Sequence, residues 1–221
     1  MSFGSIGQPR AGRPNEIVEF AKAWLGTALA FAVLFGGVSF NNISALTSSD
    51  FLRVLLIAAL TAGVGVVLHE LAHRVVARSF GADAYFVAND GMLVISVILA
   101  FTGFLFAAPG AVWHRGATSS RQLGLIAAAG PIVNIVLALV FAVGLYIAQT
   151  VEVSELVYFG LYMGFRINAI LAIFNMLPFG PLDGAKVLAW NGLFFGVVIA
   201  IAVAVGFGLA RIFPFLPTAF G

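Results

Sequence analysis

Two of the three histidines in this chain lie four residues apart, His69 and His73, with Glu70 between them. On a helix, residues four apart share a face, so both imidazoles can point at one ion. Glu70 neighbours that face without being needed as a ligand. It can take a proton from water that an ion activates and pass it to a leaving amine. His-Glu-x-x-His therefore points to a hydrolytic metal centre of the zincin type, with one zinc. The chain has no cysteine, which removes thiolate ligands, a cysteine nucleophile and disulfides. Any metal must then be held by His, Asp or Glu, and cobalt or manganese suits the same ligands. The competing reading is a polar cap at the end of a helix.

A catalytic zinc normally has three protein ligands and one open position. Candidates for the third are Glu16 and Glu19 near the start, Asp50, Glu152 and Glu155 in polar joints, Asp83, Asp90 and His114 in the middle, and Asp183. The surroundings of Asp183 stand out: Asn175, Pro178, Gly180, Pro181 and Gly184 flank it. Prolines that open a helix are tolerated at membrane depth inside protein or around a water-filled cavity. An ordinary exit loop uses the same residues.

The elements that must position these groups are membrane spans. Of 221 residues, 62% are hydrophobic and 9% charged, with a mean hydropathy of +1.08. Soluble domains carry about 25% charged residues, so lipid must be the solvent of this chain. The charge excess of +2 is too small to suggest nucleic acid as a partner. Apolar runs at about 21–40, 52–76, 123–148, 156–177 and 193–212 each have the roughly 20 residues that a span needs. The first is longer than a signal-peptide core and reads as a retained span. Residues 1–16 read as a disordered cytoplasmic tail, and 17–221 as a single membrane-embedded domain with its core at about 52–190. The expected fold is an all-α polytopic membrane protein with five to six transmembrane helices.

The sixth apolar stretch, 92–108, can span, re-enter or form strands. Arg74 and Arg78 precede it, and Arg115 and Arg121 follow it. A single crossing would put one basic pair outside, against the positive-inside tendency. We read about 82–116 as a re-entrant or β-strand-containing excursion that returns to its starting side. Phe101–Ala108 is a candidate edge for an unwound substrate peptide. Two crossings then precede Asp183, which returns it to the side of His69 and His73 and completes three ligands. Arg10, Arg13, Lys22, the 74–121 region and Lys186 face the cytoplasm on this reading, while the 41–51 and 149–155 loops face out. Arg53 and Arg211 fit the pattern less well.

Three segments, in this order, resemble the signature regions of the site-2 protease family of intramembrane metalloproteases. They are His69-Glu70-Leu71-Ala72-His73, Ala129-Gly130-Pro131-Ile132-Val133-Asn134, and Asn175 through Pro178 to Asp183-Gly184. The resemblance covers about residues 60–190, with no PDZ or CBS domain expected in the sequence. It implies that His69, His73 and Asp183 hold zinc, that Glu70 is the general base, and that Asn134 and Asn175 hydrogen-bond the substrate backbone or reaction intermediate. It also implies transmembrane protein substrates. The expected location is multi-pass in a prokaryotic cell membrane, with the active site toward the cytoplasm on the basic-residue pattern. A metal transporter or sensor with the same ligands is the alternative. An inactive scaffold is disfavoured by Glu70, which a structural site does not need. Arg166, Asn168 and Trp190 receive no role from the sequence.

Overall fold

In the computed structural model, residues 14–105, 109–116 and 119–213 are described. Most of the expected tail, residues 1–13, lies outside them. Five helical segments are long and apolar enough to cross a membrane: Glu16–Phe35, Ser49–Ser79, Ser120–Ile147, Glu155–Asn175 and Gly192–Arg211. The protein is an all-α polytopic membrane protein carrying a small two-stranded sheet.

The elements are α1 (Glu16–Phe35), α2 (Ser49–Ala58), α3 (Val64–Ser79), β1 (Asp83–Ala88), α4 (Asp90–Ala100), β2 (Gly110–Arg115), α5 (Ser120–Ile147), α6 (Glu155–Asn175), α7 (Asp183–Trp190), α8 (Gly192–Val203) and α9 (Leu209–Ile212). A π-helical turn joins α2 to α3, and another joins α8 to α9. Helix starts are set by side chains that accept the first orphan N–H groups. Asn15, Ser48, Asn89, Ser119, Ser154 and Asn191 each do this, and Ser119 forms a full capping box with Gln122. These caps start each span one to five residues earlier than the apolar runs suggest. At the other end of α1, Gly36 and Gly37 stop the helix before Phe40, with Gly37 at φ +64°.

The excursion returns. β1 and β2 pair antiparallel, Asp83 opposite Arg115 and Ala88 opposite Gly110. Between them α4 has 11 residues, about 16 Å of helix against a hydrocarbon core of about 30 Å. The Asn89 N–H donates to Pro109 O at 2.8 Å and closes the base of the loop. The sheet is fastened to both flanking helices. Glu19 on α1 accepts from the Ala88 N–H at 2.9 Å, and the Arg78 guanidinium on α3 donates twice to Ala84 O. The candidate edge at 101–108 is displaced. Residues 101–103 form a turn with Gly103 at φ +82°, residues 106–108 lie outside the described residues, and the strand is Gly110–Arg115 instead.

Helix α5 runs through the middle, packed against α3, α6 and α7. Small residues let these helices approach closely, as in many membrane bundles. A Cβ at Gly124 would collide with Trp190 of α7, and one at Gly164 of α6 with Phe141 of α5.

The order of spans predicts sidedness. In a chain without native cysteine, Gly81→Cys, Gly116→Cys and Phe179→Cys should react with an impermeant maleimide from one face of a vesicle. Asn42→Cys and Glu152→Cys should react only from the other. Labelling of Phe179→Cys from the Asn42 face would break the proposed return of the excursion.

Candidate metal centre

Helix α3 places Gly65, His69 and His73 at four-residue steps, on the face that meets α5, with Gly65 close to Asn168 of α6. Just before it, the π-helical turn Ala59–Gly63 shifts the helical register; such turns recur at functional sites. The Ala59 carbonyl accepts the Trp24 indole N–H at 2.8 Å, which fastens this turn to α1.

Asp183 reaches the histidines from the far end of the bundle sequence. After α6 ends at Asn175, Pro178, Gly180 (φ +62°) and Pro181 turn the chain, and Asp183 opens α7. Gly184 is required by the same turn, because a Cβ there would collide with Met176 O. The Asp183 Oδ2 lies 3.2 Å from His69 Nε2 and 3.1 Å from His73 Nε2. Ligands at about 2.0–2.1 Å around a tetrahedral zinc stand about 3.3 Å apart, so these separations suit one ion. All three side chains are buried, and one ligand atom from each lies within 4.8 Å of the others. The Lys186 ammonium donates to Asp183 Oδ1 at 3.1 Å, leaving Oδ2 to the histidines.

Both rings are held from behind at Nδ1. His73 Nδ1 lies 2.6 Å from Ile126 O, and His69 Nδ1 lies 2.6 Å from Asn134 Oδ1. Nδ1–H therefore donates in each ring, and both Nε2 atoms are turned toward Asp183. Nitrogen lone pairs and a carboxylate oxygen converging on one point are a donor set that a divalent cation satisfies. Gly130 and Pro131 lie on α5 between the two residues that make these contacts, Ile126 and Asn134. A Cβ at Gly130 would collide with Nε2 of both histidines. Pro131 lacks the N–H that would bond one turn back, which loosens the ladder next to Ile126.

A cavity of about 210 Å³ opens on the cluster, lined by Glu70, Asn175, His114 and Lys186 beside the three candidate ligands. Gly110 and Val112 of β2 form another part of its wall. Glu70 is buried, at 8% exposure. Asn175 uses one amide N–H on Leu171 O of its own helix, at 3.0 Å. Its remaining hydrogen-bonding capacity is available to the cavity. His114, a candidate third ligand from sequence, lines the cavity but stands outside the ligand cluster. Burial, then Lys186, lowers its pKa, so it is a neutral imidazole near pH 7. Asn134 does not line the cavity. It sits behind His69 with no exposure, so its contact is with a candidate ligand. Asn168, which carried no role in the sequence reading, is equally buried and donates nothing to the cavity: its Oδ1 accepts from Asn134 Nδ2 at 3.0 Å. A polar amide in the middle of an apolar span was the signal for it.

The chain is similar to proteins named as zinc metalloproteases. The chain is 38% identical over 174 residues to "Putative zinc metalloprotease MJ0611" of Methanocaldococcus jannaschii, covering 78% of this chain and 84% of the relative. It belongs to this zinc metalloprotease family. "Putative zinc metalloprotease YwhC" of Bacillus subtilis is 31% identical over 160 residues, 65% of this chain and 69% of the relative. "Zinc metalloprotease MJ0392" of M. jannaschii is 28% identical over 162 residues, 73% of this chain and 40% of that protein. No family model and no solved structure matches the chain. In this membrane zinc metalloprotease, the buried His-His-Asp cluster is the place among the described residues where three ligand groups meet.

Two substitutions test the cluster as the zinc site. Asp183→Ala removes one donor, and Gly130→Ala pushes a methyl group between the two rings while keeping a good helix former. Each should weaken zinc binding, measured by chelator competition in detergent, by more than the ~10–100-fold typical of changing a ligand's hydrogen-bond partner. Wild-type affinity in both variants would place the zinc elsewhere.

Proposed function

We propose that this membrane zinc metalloprotease is an endopeptidase of the site-2 protease kind, cutting membrane-anchored proteins in or near their transmembrane segments. The observation that carries the proposal is the buried cluster of His69, His73 and Asp183, with Glu70 on the wall of a cavity inside a bundle of spans. Only a substrate that itself reaches into the membrane meets such a site directly. The lipid bilayer is then the shared medium of enzyme and substrate, and nucleic acid has no part.

One zinc per chain, held by His69, His73 and Asp183, would supply Lewis-acid polarisation of the scissile carbonyl and acidify water. Glu70 accepts the proton of the attacking water and delivers it to the amide nitrogen, so the C–N bond breaks with an amine leaving. Asn175 hydrogen-bonds the substrate backbone from the cavity wall. The amides of a transmembrane helix are occupied by its own hydrogen bonds, so the substrate unwinds locally before it is cut. The β2 segment beside the cavity is a surface to which an extended peptide can add as a strand.

The basic residues support an orientation. Arg74, Arg78, Arg115, Arg121 and Lys186 all fall on the side where the excursion and the loop to α7 lie, and short basic segments stay in the cytoplasm. We therefore place the site toward the cytoplasm of a prokaryotic cell membrane.

The test measures zinc content and cleavage of a transmembrane substrate for wild type and Glu70→Gln. One zinc in both proteins, with turnover at least about 100-fold lower in the variant, supports Glu70 as the base. Undiminished cleavage by Glu70→Gln removes that role. Stoichiometric zinc with no cleavage by the wild type, and zinc flux across vesicles, would favour a transporter.

A further inference from the structure

We propose that Asn168, acting through Asn134, is a positioning residue that orients the His69 ring and sets how tightly the site binds its metal. The inference rests on the reading of His69 as a ligand and extends it to two helices that contribute no ligand.

An asparagine in the middle of an apolar span must find partners inside the protein. Asn134 on α5 and Asn168 on α6 are both fully buried, and their bonds run in one direction. Asn168 Nδ2 donates to Gly164 O at 2.9 Å. That settles which end of the amide is which and turns Asn168 Oδ1 toward α5. Asn134 Nδ2 donates to this oxygen at 3.0 Å and to Gly65 O at 3.3 Å. Both N–H groups of Asn134 then have acceptors, so its Oδ1 must be the atom that accepts from His69 Nδ1–H, at 2.6 Å. An Asn134 amide turned the other way would set N–H against N–H at the ring and oxygen against oxygen at Asn168 and Gly65.

The consequence falls on the far side of the ring. With Nδ1 holding the proton, Nε2 presents its lone pair toward Asp183 and His73. The relay is anchored at both ends by backbone carbonyls, Gly164 O on α6 and Gly65 O on α3, so the ring's orientation follows the packing of three helices. Gly65 lies one turn before His69, and a Cβ there would come within 2.6 Å of Asn168 Oδ1. The missing side chain is what lets the amide reach in. The two histidines differ in this respect. His73 is held by a backbone carbonyl that no substitution removes, whereas His69 is held by two side chains.

A bond between helices that merely glues α5 to α6 would look similar, and the two roles predict different measurements. Zinc affinity of the full-length chain in detergent is read by competition with a chromophoric chelator, and metal-free thermal stability is read alongside. Asn168→Leu, of similar volume, should weaken zinc binding about 10–100-fold, the range for the hydrogen-bond partner of a ligand histidine. The double variant Asn134→Leu/Asn168→Leu should bind zinc no more weakly than Asn134→Leu alone, because Asn168 acts only through Asn134. Zinc affinity within twofold of wild type for Asn168→Leu, or losses that multiply in the double variant, overturns the proposal; so does a lower melting temperature with unchanged affinity. If Asn168→Leu does not fold, Gly65→Ala decides: it displaces the Asn168 oxygen while leaving both asparagines in place, and should show the same loss. His69→Ala in the same assay separates the two levels. Wild-type zinc binding by His69→Ala would remove His69 as a ligand, whereas loss in His69→Ala with none in Asn168→Leu would remove only the relay.

Discussion

Polar groups inside a lipid-solvated bundle cannot fall back on water, so each must be satisfied by another part of the same chain. The cluster of His69, His73 and Asp183 is where this constraint is most severe. Two imidazoles and a carboxylate are turned toward one point with little exposure. Every outward atom of the three is then occupied: one Nδ1 by Asn134, the other by Ile126 O, and the second carboxylate oxygen by Lys186. The helices are arranged so that these partners arrive from α5 and α7, while α6 secures Asn134 from behind.

Helix α5 serves this site although it offers no ligand. Within two turns it clears space at Gly130, loosens its own backbone at Pro131 and places an amide oxygen on His69 through Asn134. A helix of larger residues could not approach α3 so closely, and one without the proline would keep its ladder regular beside Ile126. The small residues of α5 are therefore a condition of the chemistry as well as of the packing.

The excursion between α3 and α5 has a simpler role with a larger consequence. Because β1, α4 and β2 leave and return on one side, the number of crossings between His73 and Asp183 is even, and Asp183 can meet the histidines at all. The sheet is fastened to α1 by Glu19 and to α3 by Arg78, and it brings β2 to the wall of the cavity. One short hairpin-like insertion thus bears on the geometry of the site and forms part of the cavity wall.

Much of this was written in residue types and spacing. His-Glu-x-x-His points to a metal site with a base beside it, because a four-residue step on a helix is local geometry that needs no other part of the chain. The spans follow from apolar run length, and their exact starts from Asn and Ser caps that a hydropathy reading overlooks by a few residues. Asp183 required one further argument, the parity of crossings, on which the arginine pattern and the need for a third ligand agreed. The roles of the asparagines were not legible in this way. Asn134 and Asn175 both looked like substrate contacts, yet Asn175 borders the cavity and Asn134 stands behind His69, with Asn168 behind it in turn. Which side of an imidazole an amide approaches depends on how three helices are rotated and how near Gly65 and Gly130 let them come. Those are distances between segments far apart in the chain, and only the packed bundle determines them.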